Sequence, residues 1–139
     1  MSGLYVMPSN SNELIDRMNE YRLLSEAEYI MIAHNGGSVI AESGQLEFSD
    51  NQMFAALIAA SFSSTTQIAQ IIGEGQGFSH VIQMGKKRSI FMGAVNENSV
   101  AVFVVPGDKI NPVLYDNMGR WLAELQSMMG NFGETSSIL

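Results

Sequence analysis

The residues of this chain that could carry chemistry are few and scattered. His34 and His80 fall on different predicted strands, and neither has an Asp, Glu or His beside it at ligand spacing, so we predict no metal site. The absence of cysteine excludes thiol nucleophiles, disulfides and cysteine-based zinc sites. No Gly-x-Ser-x-Gly sequence occurs, and the glycine-rich stretch 73–77 lacks the Lys-Ser/Thr that follows a phosphate-binding loop. We therefore expect a protein without a catalytic site, cofactor or metal of its own.

A candidate for binding a partner is the basic cluster Lys86-Lys87-Arg88, which holds three of the seven basic residues in one predicted turn. The simplest interpretation is a solvated turn that keeps a strand end soluble. The alternative is an electropositive spot for an acidic partner surface. An arginine finger would require Arg88 to reach a bound nucleotide.

Length and charge narrow the class of protein. A chain of 139 residues fits one domain with a real core. The net charge of −7 and the pI near 4.6 argue against nucleic acid or an anionic membrane as partner, because phosphate binding needs concentrated Lys and Arg. The N-terminus lacks the pattern of a signal peptide, so we expect a cytoplasmic protein. We divide the chain into an arm at 1–10, either an added strand or a disordered arm, a domain at 11–129 and a flexible tail at 130–139.

The long stretch Phe48–Gly73, which carries no charge after Asp50, predicts the central helix. Ser49 and Gln52 form a capping-box pattern, and Gly73 supplies the stop. Helical spacing predicts one core face, made of Phe54, Leu57, Ile58, Ser61, Thr65, Ile68, Ala69 and Ile72. The opposite face is small or neutral and indicates close approach of another helix; it is made of Gln52, Ala56, Ala59, Ser63, Thr66, Gln67 and Gln70.

Shorter patterns predict the remaining elements, in the order helix, hairpin, long helix, three-strand meander and helix. In the first helix, the apolar residues Leu14, Met18, Tyr21 and Leu24 recur at helical spacing. Asn111-Pro112 starts the last helix, which Gly130 should end. The predicted bounds are 11–25 for the first helix, 29–33 and 39–41 for the hairpin, and 78–84, 89–95 and 99–105 for the meander. The last strand is apolar on both faces and should be central, whereas 78–84 should be an edge strand without charge or proline to block pairing.

This order resembles the roadblock/dynein light-chain family, whose bacterial and archaeal members include MglB-type regulators of Ras-like GTPases. The resemblance is carried by the strand Ile30-Met31-Ile32, the turn Asn35-Gly36-Gly37, the strand Val39-Ile40-Ala41, the alanine-rich helix and the strand Val102-Phe103-Val104. Two positions differ: His34-Asn35 replaces the acidic turn common in the family, and Ser25-Glu26-Ala27 replaces its Pro-Gly ahead of the first strand.

The resemblance implies an α+β fold with a five-stranded antiparallel sheet in the order 2-1-5-4-3, the first and last helices on one face and the long helix on the other. It also implies a homodimer that joins third strands edge to edge, pairs its long helices and regulates a small Ras-like GTPase through them. The alternatives are a scaffold subunit of a motility, transport or signalling complex, or a sensor of a small ligand. The expected interface residues are Gln52, Ala56, Ala59, Ser63, Thr66, Gln67 and Gln70 on the helix and Phe78, His80, Ile82 and Met84 on the edge strand.

Overall fold

The computed structural model describes residues 11–47, 50–107 and 110–138, with side-chain surroundings described for 12–47, 50–107 and 110–130. The predicted arm at 1–10 lies outside the described residues. The eight elements follow the predicted order. They are α1 (Ser11–Ser25), β1 (Tyr29–His34), β2 (Val39–Gly44), α2 (Asn51–Ile71), β3 (Val81–Met84), β4 (Arg88–Asn96), β5 (Ser99–Pro106) and α3 (Pro112–Ile138).

All five strands form one antiparallel sheet in the order β2-β1-β5-β4-β3, as predicted. The centre of this sheet is β5, which pairs with β1 on one side and with β4 on the other. Residues 99–105 of β5 are buried without a break because helices cover both faces. The strands β2 and β3 are the two edges.

Alternation along β1 divides the core into two layers. Ile30 and Ile32 face α1 and α3, where Tyr21 stacks on Trp121 with ring centroids 5.1 Å apart. Tyr29 and Met31 face α2 on the other side of the sheet. Since successive strand residues point to opposite faces, the helices lie as the resemblance implies, two on one face and one on the other.

Two glycine-containing segments shape the chain around α2. In the β1–β2 turn, the Gly37 amide donates to the His34 carbonyl at 2.8 Å, and Gly37 has a φ of +94° that few residues other than glycine adopt. A Cβ atom on Gly37 would lie 3.2 Å from the Ala56 Cα atom, so this turn packs closely against α2. At the far end, Gly73 has a φ of +91° and ends the helix as predicted.

The start of α2 differs from the capping-box prediction. Asp50 is the N-cap residue, because its Oδ1 accepts a hydrogen bond of 3.0 Å from the Met53 amide. The proposed cap Ser49 lies outside the described residues. The carboxylate of Glu42 accepts a further bond of 2.8 Å from the Asn51 side chain, which ties the first turn to β2.

Three predicted boundaries or contacts are wrong. Pairing of β3 with β4 begins at Val81 rather than Phe78, because the loop before it turns at Gly77, whose φ is +82°. Leu24 is exposed, and α1 ends its buried stripe at Tyr21 and Ser25. The last helix passes through Gly130, which was expected to end it, and continues to Ile138.

The continuation of α3 has a simple backbone cause. A glycine inside a helix costs about 1 kcal/mol but ends it only when the residue turns left-handed, which Gly130 does not. The Asn96 side-chain amide also donates to the Met129 carbonyl at 3.2 Å, so β4 holds the helix at this turn.

Candidate functional site

The candidate site is the solvent-facing side of α2, where large apolar side chains lie in water. Ile71 is 85% exposed and Leu57 61% exposed, and no residue of the helix carries a charge. We call this surface the outer face of α2, defined by the exposed residues Met53, Ala56, Leu57, Ala60, Ser64, Gln67, Ile68 and Ile71. They recur at three- and four-residue spacing and form one stripe.

Small residues on the inner side explain this arrangement. Ala55, Ala59 and Ala69 are buried, and Ile58 is the one large aliphatic side chain of the helix that is fully enclosed among the described residues. Alanine lets the helix backbone approach β1 and β5 closely. Because the close approach uses the small residues, several of the large ones remain on the outer face.

The predicted helix faces are therefore rotated by roughly 60° about the helix axis from the observed ones. Leu57, Ile68 and Ile72 were expected in the core and are exposed. Ala59 was expected at the interface, but it is only 6% exposed and packs inward.

The other predicted interface residues on α2 divide into three groups. Ala56 and Gln67 lie on the outer face, and Gln52, Ser63 and Gln70 are exposed along its border. Thr66 is half-buried, and its hydroxyl donates to the Phe62 carbonyl at 3.0 Å, within the helix itself. The sequence contained a signal for the missed apolar residues: α2 has more large apolar side chains than a single helix stripe holds.

The four predicted interface residues near β3 differ in their exposure to solvent. Met84 is 69% exposed, whereas Ile82 packs partly buried into the core beneath α1 and α3. His80 stacks on Phe91 with centroids 5.2 Å apart. Phe78 is half-buried and, like His80, precedes the strand.

His80 is also held by hydrogen bonds within the chain. Its Nε2 atom lies 2.6 Å from the Tyr115 hydroxyl oxygen, and its Nδ1 atom lies 3.0 Å from the Ser79 Oγ. These contacts attach the segment before β3 to α3. His80 therefore helps to position the segment before the edge strand.

In the basic turn between β3 and β4, Arg88 forms ion pairs with residues of the same chain. The guanidinium of Arg88 donates to the carboxylates of Glu28 and Glu47, the latter at 3.0 Å. The hydrogen bond and charge of Glu28 are the main causes that raise the pKa of Arg88 above its usual value. This geometry disfavours an arginine finger, because the side chain already bridges the residue before β1 and the loop before α2.

The remaining strong polar contacts are structural. Burial, reinforced by hydrogen bonds to Glu124 and Glu42, raises the pKa of the Tyr21 and Tyr29 hydroxyls, respectively, well above the usual value. Across the described part of the chain, no group of three or more His, Cys, Asp or Glu residues could hold a metal ion. Nor does any helix in that part have the length and apolar character needed to cross a membrane.

A sheet with helices on both faces and an uncharged apolar helix face left in solvent has the properties of a protein-interaction domain. Residues 13–105 match the family model described as the Roadblock/LC7 domain, and the chain belongs to that family. No curated protein sequence matches the chain.

Three solved structures with the same fold are forms of MglB. MglB of Myxococcus xanthus is 19% identical, with a TM-score of 0.79 over 87% of this chain and 90% of that one. An MglB described as having a tetrameric arrangement is 16% identical, with a TM-score of 0.77 over 89% and 93% of the two chains. The gliding protein MglB of Thermus thermophilus is 17% identical, with a TM-score of 0.69 over 86% and 93%.

Proposed function

We propose that this protein is a homodimeric regulator or co-regulator of a small Ras-like GTPase, which it binds through the paired α2 helices. The observation that carries the proposal is the outer face of α2, an uncharged stripe with four large apolar side chains in solvent. The membership of the Roadblock/LC7 family and the fold shared with MglB supply the class of partner.

The energy of burial favours association of this face. Fully burying a Leu, Ile or Met side chain contributes about 1.5–3 kcal/mol, and the four on the outer face are more than half exposed. Two copies meeting through this stripe would gain on the order of 10 kcal/mol before the entropic cost of association. The small residues Ala56, Ala60 and Ser64 between them allow a second helix to approach closely.

The edge strand supports the same mode of assembly. β3 pairs with β4 on one side only, and no proline or charge occurs between Val81 and Met84 to block a second strand. Exposed Met84 lies at the end of this strand. In this proposal two β3 strands pair across the dimer axis, beside the paired helices.

The surface for the GTPase lies across the same axis. Polar residues at the border of the outer face, Gln52, Ser63 and Gln70, are left for a partner once the apolar stripe is covered by the second copy. Neutral side chains there bind a transient partner without burying an unpaired charge. Any acceleration of hydrolysis would then come from repositioning the GTPase's own residues.

The experiment uses the small Ras-like GTPases of the source organism, each loaded with GDP or with a non-hydrolysable GTP analogue. Calorimetry should detect binding of one GTPase with a preference for one nucleotide state, and hydrolysis should change when the protein is added. The controls are the protein alone with each nucleotide, which should neither bind nor hydrolyse it.

Two results would redirect the proposal. Tight binding with no change in hydrolysis would support a scaffold subunit instead of a regulator. Absence of binding to every such GTPase, together with a monomer in sedimentation at micromolar concentration, would refute the function and the dimer together.

A further inference from the structure

Lys86 and Lys87 stand apart from the other cations of the chain. Arg17 pairs with Glu20, Arg22 and Arg120 donate to neighbouring side chains, and Arg88 bridges two carboxylates. Within the described residues, Lys86 and Lys87 are the cations with no such partner, and both are exposed. An acidic protein therefore presents, in one turn, two adjacent exposed lysines without an ion pair to the described part of the chain.

The turn that carries these lysines is held in place by its backbone. The Gly85 amide donates to Ser89 Oγ at 3.2 Å, and the Gly107 amide donates to the Lys87 carbonyl at 2.9 Å. A Cβ atom on Gly107 would lie 2.6 Å from the Lys86 carbonyl oxygen, so the chain after β5 packs directly on the turn. A ligand would not have to order the backbone, which lowers the entropic cost of binding.

The charged groups at the turn leave it net positive, because Lys86, Lys87 and Arg88 carry three positive charges against the two negative charges of Glu28 and Glu47. The two carboxylates that Arg88 reaches, Glu28 and Glu47, are already engaged by its guanidinium. In the sequence next to Gly107, Asp108 and Lys109 cancel in formal charge. At physiological ionic strength, salt largely screens any acidic residue that lies more than about 8 Å from the turn.

We propose that the turn formed by residues 85–88 binds an acidic segment of a partner protein through Lys86 and Lys87. Two lysines match two carboxylates of a short peptide, whereas a nucleic acid requires a row of phosphate contacts that a chain of net charge −7 does not provide. This site lies on the β3–β4 turn and is independent of the outer face of α2.

The test is a two-dimensional NMR titration of the intact protein with a hexaglutamate peptide at low salt. The amides of residues 85–88 should shift, and the binding should weaken as salt is raised. The variant Lys86→Gln/Lys87→Gln should bind the peptide at least about threefold more weakly, since exposed ion pairs contribute little each. The charge-matched control Arg17→Gln/Arg120→Gln should bind as the wild type does.

Three outcomes would overturn the proposal. An equal loss in both double variants would mean that total charge, not the turn, attracts the peptide. Tighter binding of a thymidine hexanucleotide than of hexaglutamate at the same amides would make the site one for nucleic acid. A weaker self-association of the lysine variant in sedimentation would identify the occupant as a second copy of this chain.

Discussion

Leu57 and Ile58 are neighbours in α2 whose side chains lie in opposite environments. Leu57 is 61% exposed on the outer face, and Ile58 is 5% exposed against the sheet. Truncating each to alanine therefore separates association from folding with nearly matched chemistry. We predict that Leu57→Ala weakens the dimer and that Ile58→Ala weakens the fold.

The magnitudes follow from the exposed fractions. Leu57→Ala removes three carbon atoms, whose full burial would contribute about 2.4 kcal/mol. Leu57 is 61% exposed, so covering it with a partner helix would contribute about 1.5 kcal/mol per protomer, and the variant loses this contribution. Two copies per dimer give about 3 kcal/mol, or about a 100-fold rise in the dissociation constant. Ile58→Ala should instead lower the free energy of unfolding by about 2–5 kcal/mol.

Sedimentation equilibrium gives the dissociation constant, and urea unfolding at two protein concentrations separates the stability of the protomer from that of the dimer. Folded Ile58→Ala protein should associate as the wild type does. An unchanged dissociation constant for Leu57→Ala would remove the outer face from the dimer interface. A loss of folding stability in Leu57→Ala as large as that in Ile58→Ala would refute the assignment of the helix faces.

Three further predictions concern stability. Arg88→Gln should lower the melting temperature by about 3 °C, and the difference should shrink in high salt, because its ion pairs are partly exposed; a shift that does not depend on salt would contradict this. The raised pKa of Tyr21 and Tyr29 contributes folding stability below about pH 10 that is lost at more alkaline pH. Changing both residues to Phe should therefore flatten the alkaline part of the curve of stability against pH. An unchanged slope would contradict this prediction. Chemical unfolding should show that Gly119→Ala is stabilised by about 1 kcal/mol, because a Cβ atom at this position in α3 has open space. Gly93→Ala should be destabilised by about 1–3 kcal/mol, because a Cβ atom at this position in β4 would lie 2.5 Å from a leucine side chain. The opposite order of stabilities would refute the packing.

The order of elements could be predicted because its signals are local, whereas the strand order of the sheet was implied by the resemblance to the family. The apolar run on both faces of β5 requires a central strand, and the turn Asn35-Gly36-Gly37 requires a hairpin. Asn111 caps α3 as predicted, with its Oδ1 accepting from the Leu114 amide at 2.9 Å. Each of these depends on residues within a few positions of one another.

The faces of α2 could not be predicted because the helix has no charge to mark its solvent side. Periodicity alone assigned the larger residues, such as Leu57 and Ile68, to the core, whereas the small residues Ala55 and Ala59 are the ones buried. Which of two apolar stripes packs inward depends on how the whole helix fits the rest of the domain, which is a tertiary property.

The predicted start of β3 at Phe78 was wrong for a related reason. His80 and Phe78 precede the strand because the glycine-rich loop delays pairing until Val81. The contact between His80 and Tyr115 joins positions 35 residues apart. Alternation within the strand contains no information about that contact.

The pairing of β1 with β5 sets the order in which the domain can form during synthesis. Tyr29 lies opposite Val104, so the central pair of strands joins two segments that leave the ribosome far apart in time. Until β5 emerges, the hairpin and the apolar α2 have no central strand to pack on, and the layer beneath α1 also awaits α3. The nascent chain therefore exposes both sides of its most apolar helix until almost all of the domain has been made, which is the stage when a chaperone or a second nascent chain would meet it.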